Sequence, residues 1–216
     1  DAYKNSFVAE NMLSLLSKQK INVTHSFDFY SKNGDFISNY KFEDSNFYAK
    51  INLPIIKNKN SKYLSFTHKL LLKDKQPSFE MFNYDFSMNH RGYTIVYKDQ
   101  NSLGTIVHGN FGAIDVSNNI QSRAKIRNNL FIYTIAYKFE KFYEYEIIFN
   151  NPCNKKLNVE IIKNSTKETL KEESFSMKIN QYGNQSYLLK DYSGTISIES
   201  KMPICRPLII KDPYIE

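Results

Sequence analysis

The chain has 216 residues, of which 41% are hydrophobic and 24% charged, and its net charge at pH 7 is +7. These values exclude an intrinsically disordered chain and are typical of a folded globular protein. A chain of this length buries roughly 70% of its unfolded surface, so it can fold without a metal ion or a disulfide. Its 16 Phe and 16 Tyr favour strands, because aromatic side chains fit a half-buried pleated surface.

Residues 1–20 are predicted to form an N-terminal α-helix. Four apolar residues within 5–20 recur at helical spacing: Val8, Met12, Leu15 and Leu16. Asn5 or Ser6 can cap the first free amides, and lysines close the last turn. We expect the apolar stripe to pack on the sheet of the same protein.

Residues 21–114 are predicted to form a β-rich unit, because the hydrophobic period changes to two after residue 20. Aromatic and polar residues alternate around Asn33-Gly34, which is a strong hairpin pattern. The stretches SKYLSFTHKLLLK and EMFNYDFSM are predicted strands. YTIVYK and GTIVHG are predicted to form a second hairpin that turns at residues 99–103.

Residues 115–129 lose this pattern and are predicted to be a connector. Residues 130–216 contain six short alternating segments separated by turn residues, a pattern typical of an antiparallel β-sandwich. Their spacing resembles that of immunoglobulin-like accessory domains of bacterial surface proteins. Pro203 and Pro207 bracket the last segment and indicate an edge strand, because proline cannot donate a ladder hydrogen bond.

The predicted fold class is therefore mainly β: an antiparallel β-sandwich, immunoglobulin-like or jelly-roll-like, with one N-terminal helix. A short internal similarity favours two tandem β units. YKDQNSLGTIVHG and LKDYSGTISIES share Lys-Asp, a polar turn and Gly-Thr-Ile. The two glycines, Gly104 and Gly194, lie 90 residues apart, about the length of one small sandwich.

Residues 89–115 are the stretch that most resembles a working site. If Val96 faces Ile106 across the second hairpin, several polar side chains meet at its open end. The candidate ligand-binding residues are then His90, Arg91, Tyr93, His108 and Asn110. A purely structural explanation is favoured, because the Gly109–Gly112 region suits a tight bend.

The same stretch provides the candidates for metal chemistry. Asp85, His90 and His108 form a weak candidate set for a divalent ion, and either histidine could be a general base. We nevertheless predict no metal and no cofactor. The chain lacks a nucleophile elbow, a phosphate-binding loop and a His-Glu-x-x-His motif. This lowers the expectation of an enzyme without excluding one.

Three further patterns each have a structural and a functional explanation. Glu140, Glu144 and Glu146 include paired carboxylates of the kind glycosidases use, but a solvated strand face is favoured. The basic run Lys57–Lys75 could bind single-stranded nucleic acid, although Lys far outnumbers Arg, and nucleic acid is therefore an unfavoured partner. Cys153 and Cys205 match no zinc or redox spacing; a disulfide between them is considered, but two unpaired thiols are favoured.

The abundant tyrosines favour recognition over catalysis. A tyrosine joins a flat apolar ring to a polar tip, which suits stacking on a sugar or contact with a protein. Five tyrosines near strand ends or turns are the best leads: Tyr63, Tyr93, Tyr97, Tyr182 and Tyr187. We expect a non-catalytic binding or assembly module, exposed at a cell surface or secreted, that recognises a glycan or a protein.

Location and assembly are less defined by the sequence. No apolar run approaches the roughly eighteen residues of a membrane span, and no signal-peptide pattern is present. The first residue is Asp1, which is compatible with a mature secreted chain or an excised domain. The sequence specifies neither the oligomeric state nor the compartment.

Overall fold

The computed structural model describes residues 4–72, 92–97, 105–107, 124–165, 173–202 and 205–213. These residues form antiparallel sheets and one short helix. In chain order the elements are β1 (Lys4–Glu10), α1 (Met12–Ser17), β2 (Val23–Tyr30), β3 (Phe36–Asp44), β4 (Tyr48–Asn52), β5 (Ser65–Leu72), β6 (Gly92–Tyr97), β7 (Thr105–Val107), β8 (Ala124–Arg127), β9 (Leu130–Thr134), β10 (Tyr143–Asn150), β11 (Leu157–Ser165), β12 (Glu173–Ile179), β13 (Asn184–Leu189), β14 (Gly194–Ser200) and β15 (Leu208–Pro213). Within this part of the chain, no helix is long and apolar enough to cross a membrane.

The chain divides into two compact units, and each contains two sheets. Unit 1 comprises residues 1–29, 36–59 and 66–109, whereas unit 2 comprises residues 30–35, 60–65 and 110–216. The predicted mainly β, antiparallel sandwich class is confirmed. The units are not in strict tandem, because two short segments from the first half of the chain belong to unit 2.

Unit 1 is built from a sheet with the strand order β4-β1-β6-β7 and a sheet with the order β3-β2-β5. Both sheets contribute side chains to one apolar core: Phe7, Ala9, Phe27, Phe29, Ala49, Ile51 and Leu53. The predicted hairpin at Asn33-Gly34 is present between β2 and β3. Gly34 has φ +89°, and its N–H donates to the Ser31 carbonyl at 3.0 Å.

The predicted helix over residues 1–20 is wrong for most of its length. Residues Lys4–Glu10 form β1, an inner strand that pairs with both β4 and β6, and only Met12–Ser17 are helical. Phe7 and Ala9 are buried on either side of the more exposed Val8, which is the period of a strand. Pairing on both sides outweighs the helical spacing of Val8 and Met12, which belong to different elements.

The second hairpin is present, but its predicted register is wrong by one residue. Val96 pairs with Thr105 and Ile95 pairs with Ile106. A one-residue slip exchanges the two faces of a strand. His90, Arg91, His108 and Asn110, which were predicted to meet at the open end of this hairpin, lie outside the described residues. The sequence does not specify this register by itself, because Ile95 and Val96 are both apolar and either could face Ile106.

The predicted connector 115–129 is also wrong over residues 124–129; residues 115–123 lie outside the described residues. Residues Ala124–Arg127 form β8, which pairs with β9 through Arg127 and Leu130. Asn128 and Asn129 have φ angles of 51° and 62° and close a two-residue turn. Such turns require positive φ at both positions, which Asn tolerates, so the Asn-Asn pair was the overlooked sequence feature.

Unit 2 is built from a sheet with the order β13-β10-β15 and a sheet with the order β12-β11-β14-β9-β8. Both sheets contribute to its core, which contains Ile135, Phe139, Tyr145, Ile147, Phe149, Leu157, Val159, Ile161, Met177, Ile179, Leu189, Ile196 and Ile198. The six segments predicted for this region correspond to strands β10–β15. β15 begins directly after Pro207 and lies at an edge of its sheet, as predicted.

Two nearby phenylalanines provide a matched test of the unit 2 core. Phe139 is fully buried and packs edge-on against Tyr145 at 4.9 Å, whereas Phe142 is 80% exposed. We expect F139A to lower the free energy of unfolding by about 3–5 kcal/mol, because it leaves a cavity. F142A should change it by less than about 0.5 kcal/mol. Urea unfolding of both variants measures this, and equal losses would contradict the assigned core.

Candidate binding site

Most of the predicted site lies outside the described residues. This holds for Asp85, His90, Arg91, His108 and Asn110, so their roles stay predictions. The remaining candidate, Tyr93, lies on β6, and its hydroxyl donates to the Glu10 carboxylate at 3.4 Å. In the described part of the chain, no three His, Cys, Asp or Glu side chains are placed to hold a metal ion.

The structure brings together the two histidines that sequence reasoning passed over. His25 on β2 is completely buried, and its Nδ1 lies 3.0 Å from Nε2 of His68 on β5. The rings are stacked, with centroids 5.2 Å apart, and Phe7 and Phe27 also lie against the ring of His68. One ring must donate and the other accept, so this contact requires a neutral imidazole. Because 43 residues separate them, only the pairing of β2 with β5 places them together.

The basic run Lys57–Lys75 is partly neutralised. Lys62 lies 2.6 Å from the Glu146 carboxylate, and Lys69 lies 2.8 Å from that of Asp28. Lys57 and Lys59 are exposed, and the run beyond residue 72 lies outside the described residues. This arrangement favours a structural role for these lysines over a continuous track for a nucleic-acid backbone.

The three glutamates that could suggest a glycosidase are all paired with lysines. Glu140 contacts Lys211 at 3.0 Å, Glu144 contacts Lys190, and Glu146 contacts Lys62. On β10, Glu144 and Glu146 flank the buried Tyr145 and therefore share the outer face of the strand. These carboxylates serve as partners for lysines on neighbouring segments.

Tyr63 strengthens the contact at Glu146. Its hydroxyl donates to Oε2 of Glu146 at 2.6 Å, the same oxygen that binds Lys62. Burial opposes ionisation of Glu146, but the hydrogen bonds from Lys62 and Tyr63 outweigh it, so the pKa of Glu146 is lowered. Burial and the adjacent carboxylate raise the pKa of Tyr63 to about 12. Asn184 also donates to the Tyr63 carbonyl at 3.2 Å, so segment 60–65 is anchored to unit 2.

The other tyrosines that the sequence suggests for binding differ in what their rings contact. The ring of Tyr97 lies 5.6 Å from the Lys50 ammonium, and Tyr182 stacks on Tyr30 with centroids 4.8 Å apart. Tyr187 contacts Phe175 with centroids 5.3 Å apart, and Phe175 is 49% exposed. Tyr187 therefore belongs to an aromatic surface that solvent reaches.

We call this surface the aromatic flank; it comprises Lys163, Glu173, Phe175, Tyr187 and Tyr192. β12 and β13 are edge strands of the two sheets of unit 2, and they contact each other. Phe175 lies two residues before the buried Met177, so the two side chains point to the same side of β12. It lies nearer the end of the strand, where the core ends, and its ring is therefore only half covered.

Cross-strand register places the charged residues of the flank together. Lys163 on β11 lies directly opposite Glu173 on β12, and their charged groups are 2.9 Å apart. The Lys163 side chain is only 23% exposed, against 75% for that of Glu173. The bond to Glu173 raises the pKa of Lys163, burial opposes this, and the Tyr187 hydroxyl adds to the increase.

Tyr192 completes the aromatic flank. Its ring centroid lies 5.7 Å from the Lys163 ammonium, and its hydroxyl donates to the Thr195 carbonyl at 2.6 Å. Burial raises the pKa of Tyr192 to about 12, so the hydroxyl stays neutral at physiological pH. The flank thus combines aromatic rings with one compensated ion pair.

The contact between Tyr63 and Glu146 predicts a pH-dependent effect on stability. Y63F should lower the free energy of unfolding by about 1.5–3 kcal/mol at neutral pH, because the hydroxyl donates to an ionised group. A carboxyl with a lowered folded pKa stabilises above its unfolded pKa of about 4.3, and this contribution disappears as pH falls through the folded pKa. The cost of Y63F should therefore shrink in acid.

Denaturant unfolding of wild type and Y63F over a series of pH values measures this effect. Y48F is the matched control, because Tyr48 is a well exposed tyrosine of unit 1. A cost of Y63F that stays constant down to strongly acidic pH would contradict the assigned bond.

Comparison with known proteins provides no family assignment. No protein-family model matches the chain. A search of curated proteins finds no similar sequence. The function is therefore inferred from the residues and their arrangement.

Proposed function

We propose that the chain is a non-catalytic binding module whose aromatic flank holds an extended segment of a partner protein along β12. The observation that carries this proposal is the half-exposed ring of Phe175 on an edge strand. Isolated exposed apolar residues are ordinary on protein surfaces. Here the exposed ring is combined with a strand edge and a neighbouring tyrosine, as in sites that bind extended peptides.

The backbone of β12 supports this mode of binding. On one side β12 pairs with β11, and among the described strands none pairs with its other side. The first four residues of β12, Glu173–Ser176, are exposed on both faces. An edge strand presents unpaired N–H and C=O groups, to which an extended peptide can add as a further strand. The ring of Phe175 would then contact alternate side chains of that peptide.

Charge favours an acidic partner. The chain carries a net charge of +7, which attracts acidic partners at long range. On β12 itself, Lys178 is exposed. Lys163 already has a carboxylate partner in Glu173, so the attraction would come from Lys178 and from the net charge of the whole chain.

Glycan recognition by the same rings is the second candidate. Phe175 and Tyr187 form an aromatic surface with a carboxylate at its rim, which suits stacking on a sugar ring. The protein segment is favoured because a sugar would make no use of the strand edge. The other two hypotheses, an enzyme using His90 and His108 and a nucleic-acid site in Lys57–Lys75, gain no support from the described residues. A surface or secreted location remains part of the proposal.

The test uses the full chain, a displayed library of linear peptides and a glycan array. We expect acidic peptides to bind, with the affinity lowered about tenfold or more by F175A, as for a central aromatic contact. F142A removes a phenylalanine that is even more exposed and should leave the affinity unchanged.

Thermal unfolding of F175A would confirm that the variant is folded. If only glycans bind, and F175A weakens that binding, the ligand of the aromatic flank is a sugar and not a protein segment. Equal binding by F175A and F142A to every probe would overturn the aromatic flank as the site.

A further inference from the structure

The two cysteines of the chain lie at neighbouring points of unit 2, although 52 residues separate them. Cys153 lies three residues after the end of β10, and Cys205 lies three residues before β15 begins. Both thiols are free; Cys153 is half-buried and Cys205 is buried.

The register between β10 and β15 indicates how close the cysteines are. Ile148 pairs with Leu208, so the residues that follow β10 and those that precede β15 lie at the same end of this antiparallel strand pair. The side chain of Asn151 in turn accepts a hydrogen bond from the Cys153 N–H at 3.0 Å. Asn151 is buried, and its amide is fixed by bonds to the Lys155 and Asn180 carbonyls. The fixed Asn151 side chain thus positions the backbone at Cys153, at the end of the strand pair where Cys205 precedes β15.

The electrostatics of Cys205 agree with this placement. Burial raises the pKa of the Cys205 thiol to about 12, and the second cause of the increase is the nearby Cys153. Arg206, the next residue in the chain, is exposed. Cys205 is therefore mostly protonated near neutral pH, and Cys153 is the thiol that solvent reaches.

We propose that Cys153 and Cys205 are a cross-linking site that forms an intramolecular disulfide by exchange with a low-molecular-weight disulfide. The Cys153 thiolate attacks the small disulfide, so that a mixed disulfide forms and one small thiol leaves. The Cys205 thiolate then attacks the Cys153 sulfur and expels the second small thiol. The two cysteines together lose two protons and two electrons, equal to two hydrogen atoms, and the small disulfide takes them up and is reduced to two thiols.

The cross-link would fasten an edge strand to the rest of the sheet. The closed loop runs from residue 153 to residue 205 and contains β11, β12, β13 and β14. Closing a loop of this length restricts the unfolded chain and therefore stabilises the fold. The disulfide would also hold the residues that precede β15 close to the end of β10. This inference is independent of what the aromatic flank binds.

The test starts from the full chain with both thiols reduced and adds oxidised glutathione. We expect a mass loss of two hydrogen atoms, a tryptic peptide that joins Cys153 to Cys205, and a thermal midpoint raised by roughly 5–15 °C. Ring closure should accelerate about tenfold per pH unit, because thiolate is the attacking form and Cys205 is almost entirely protonated below its pKa.

Two single variants serve as controls. C205A and C153A should each lack the cross-linked peptide and the rise in thermal midpoint; C205A should instead retain one glutathione on Cys153. Cys153 is half-buried, so C153A removes the pair without opening the core. Wild type that carries glutathione on its cysteines without cross-linking, or that forms only intermolecular dimers, would overturn the proposal.

Discussion

The pairing register of β11 is the constraint on which the aromatic flank depends. β11 lies between β12 and β14, and Ile161 faces both Phe175 and Ile198 across these two pairings. A slip of one residue on either side would turn the buried row Leu157, Val159 and Ile161 to the solvent, so register is strongly specified here. In the same register, Lys163 follows this row of buried residues on β11 and lies opposite Glu173. Core and candidate site are therefore fixed by one set of hydrogen bonds.

Polar groups in unit 2 are arranged to satisfy one another. Glu146 accepts hydrogen bonds from Lys62 and Tyr63, and the charge of Lys163 is paired with that of Glu173. Asn184 is buried and donates to Ser65, whose hydroxyl donates to Asn150. A buried polar group without a partner costs stability, so these contacts explain how a strand-rich unit tolerates many Asn, Ser and Lys residues. These polar side chains thus contribute to the stability of unit 2.

The sequence alone predicted the β class and most strands of unit 2. In each of these strands apolar and polar residues alternate, and turns that contain Pro, Gly or Asn separate one strand from the next. The prediction was wrong for β1, where apolar residues match both a helical and a strand spacing and only pairing with β4 and β6 decides between them. It was also wrong for the β6–β7 register, because Ile95 and Val96 are both apolar and either could face Ile106. Of the flank, Tyr187 could be identified as a lead, but Lys163, Glu173, Phe175 and Tyr192 could not, since nothing local distinguishes them from other strand residues.

What the sequence by itself determined is the period-two alternation, the turns and the excess of aromatic and basic residues, because these are local properties of the chain. What only the tertiary structure decided is which distant residues meet: His25 with His68, Tyr63 with Glu146, and Phe175 with Tyr187. Each of these contacts depends on which strands become neighbours and in which register. Strand pairing joins residues far apart in the chain through backbone groups that every residue carries, so side-chain patterns constrain it only weakly.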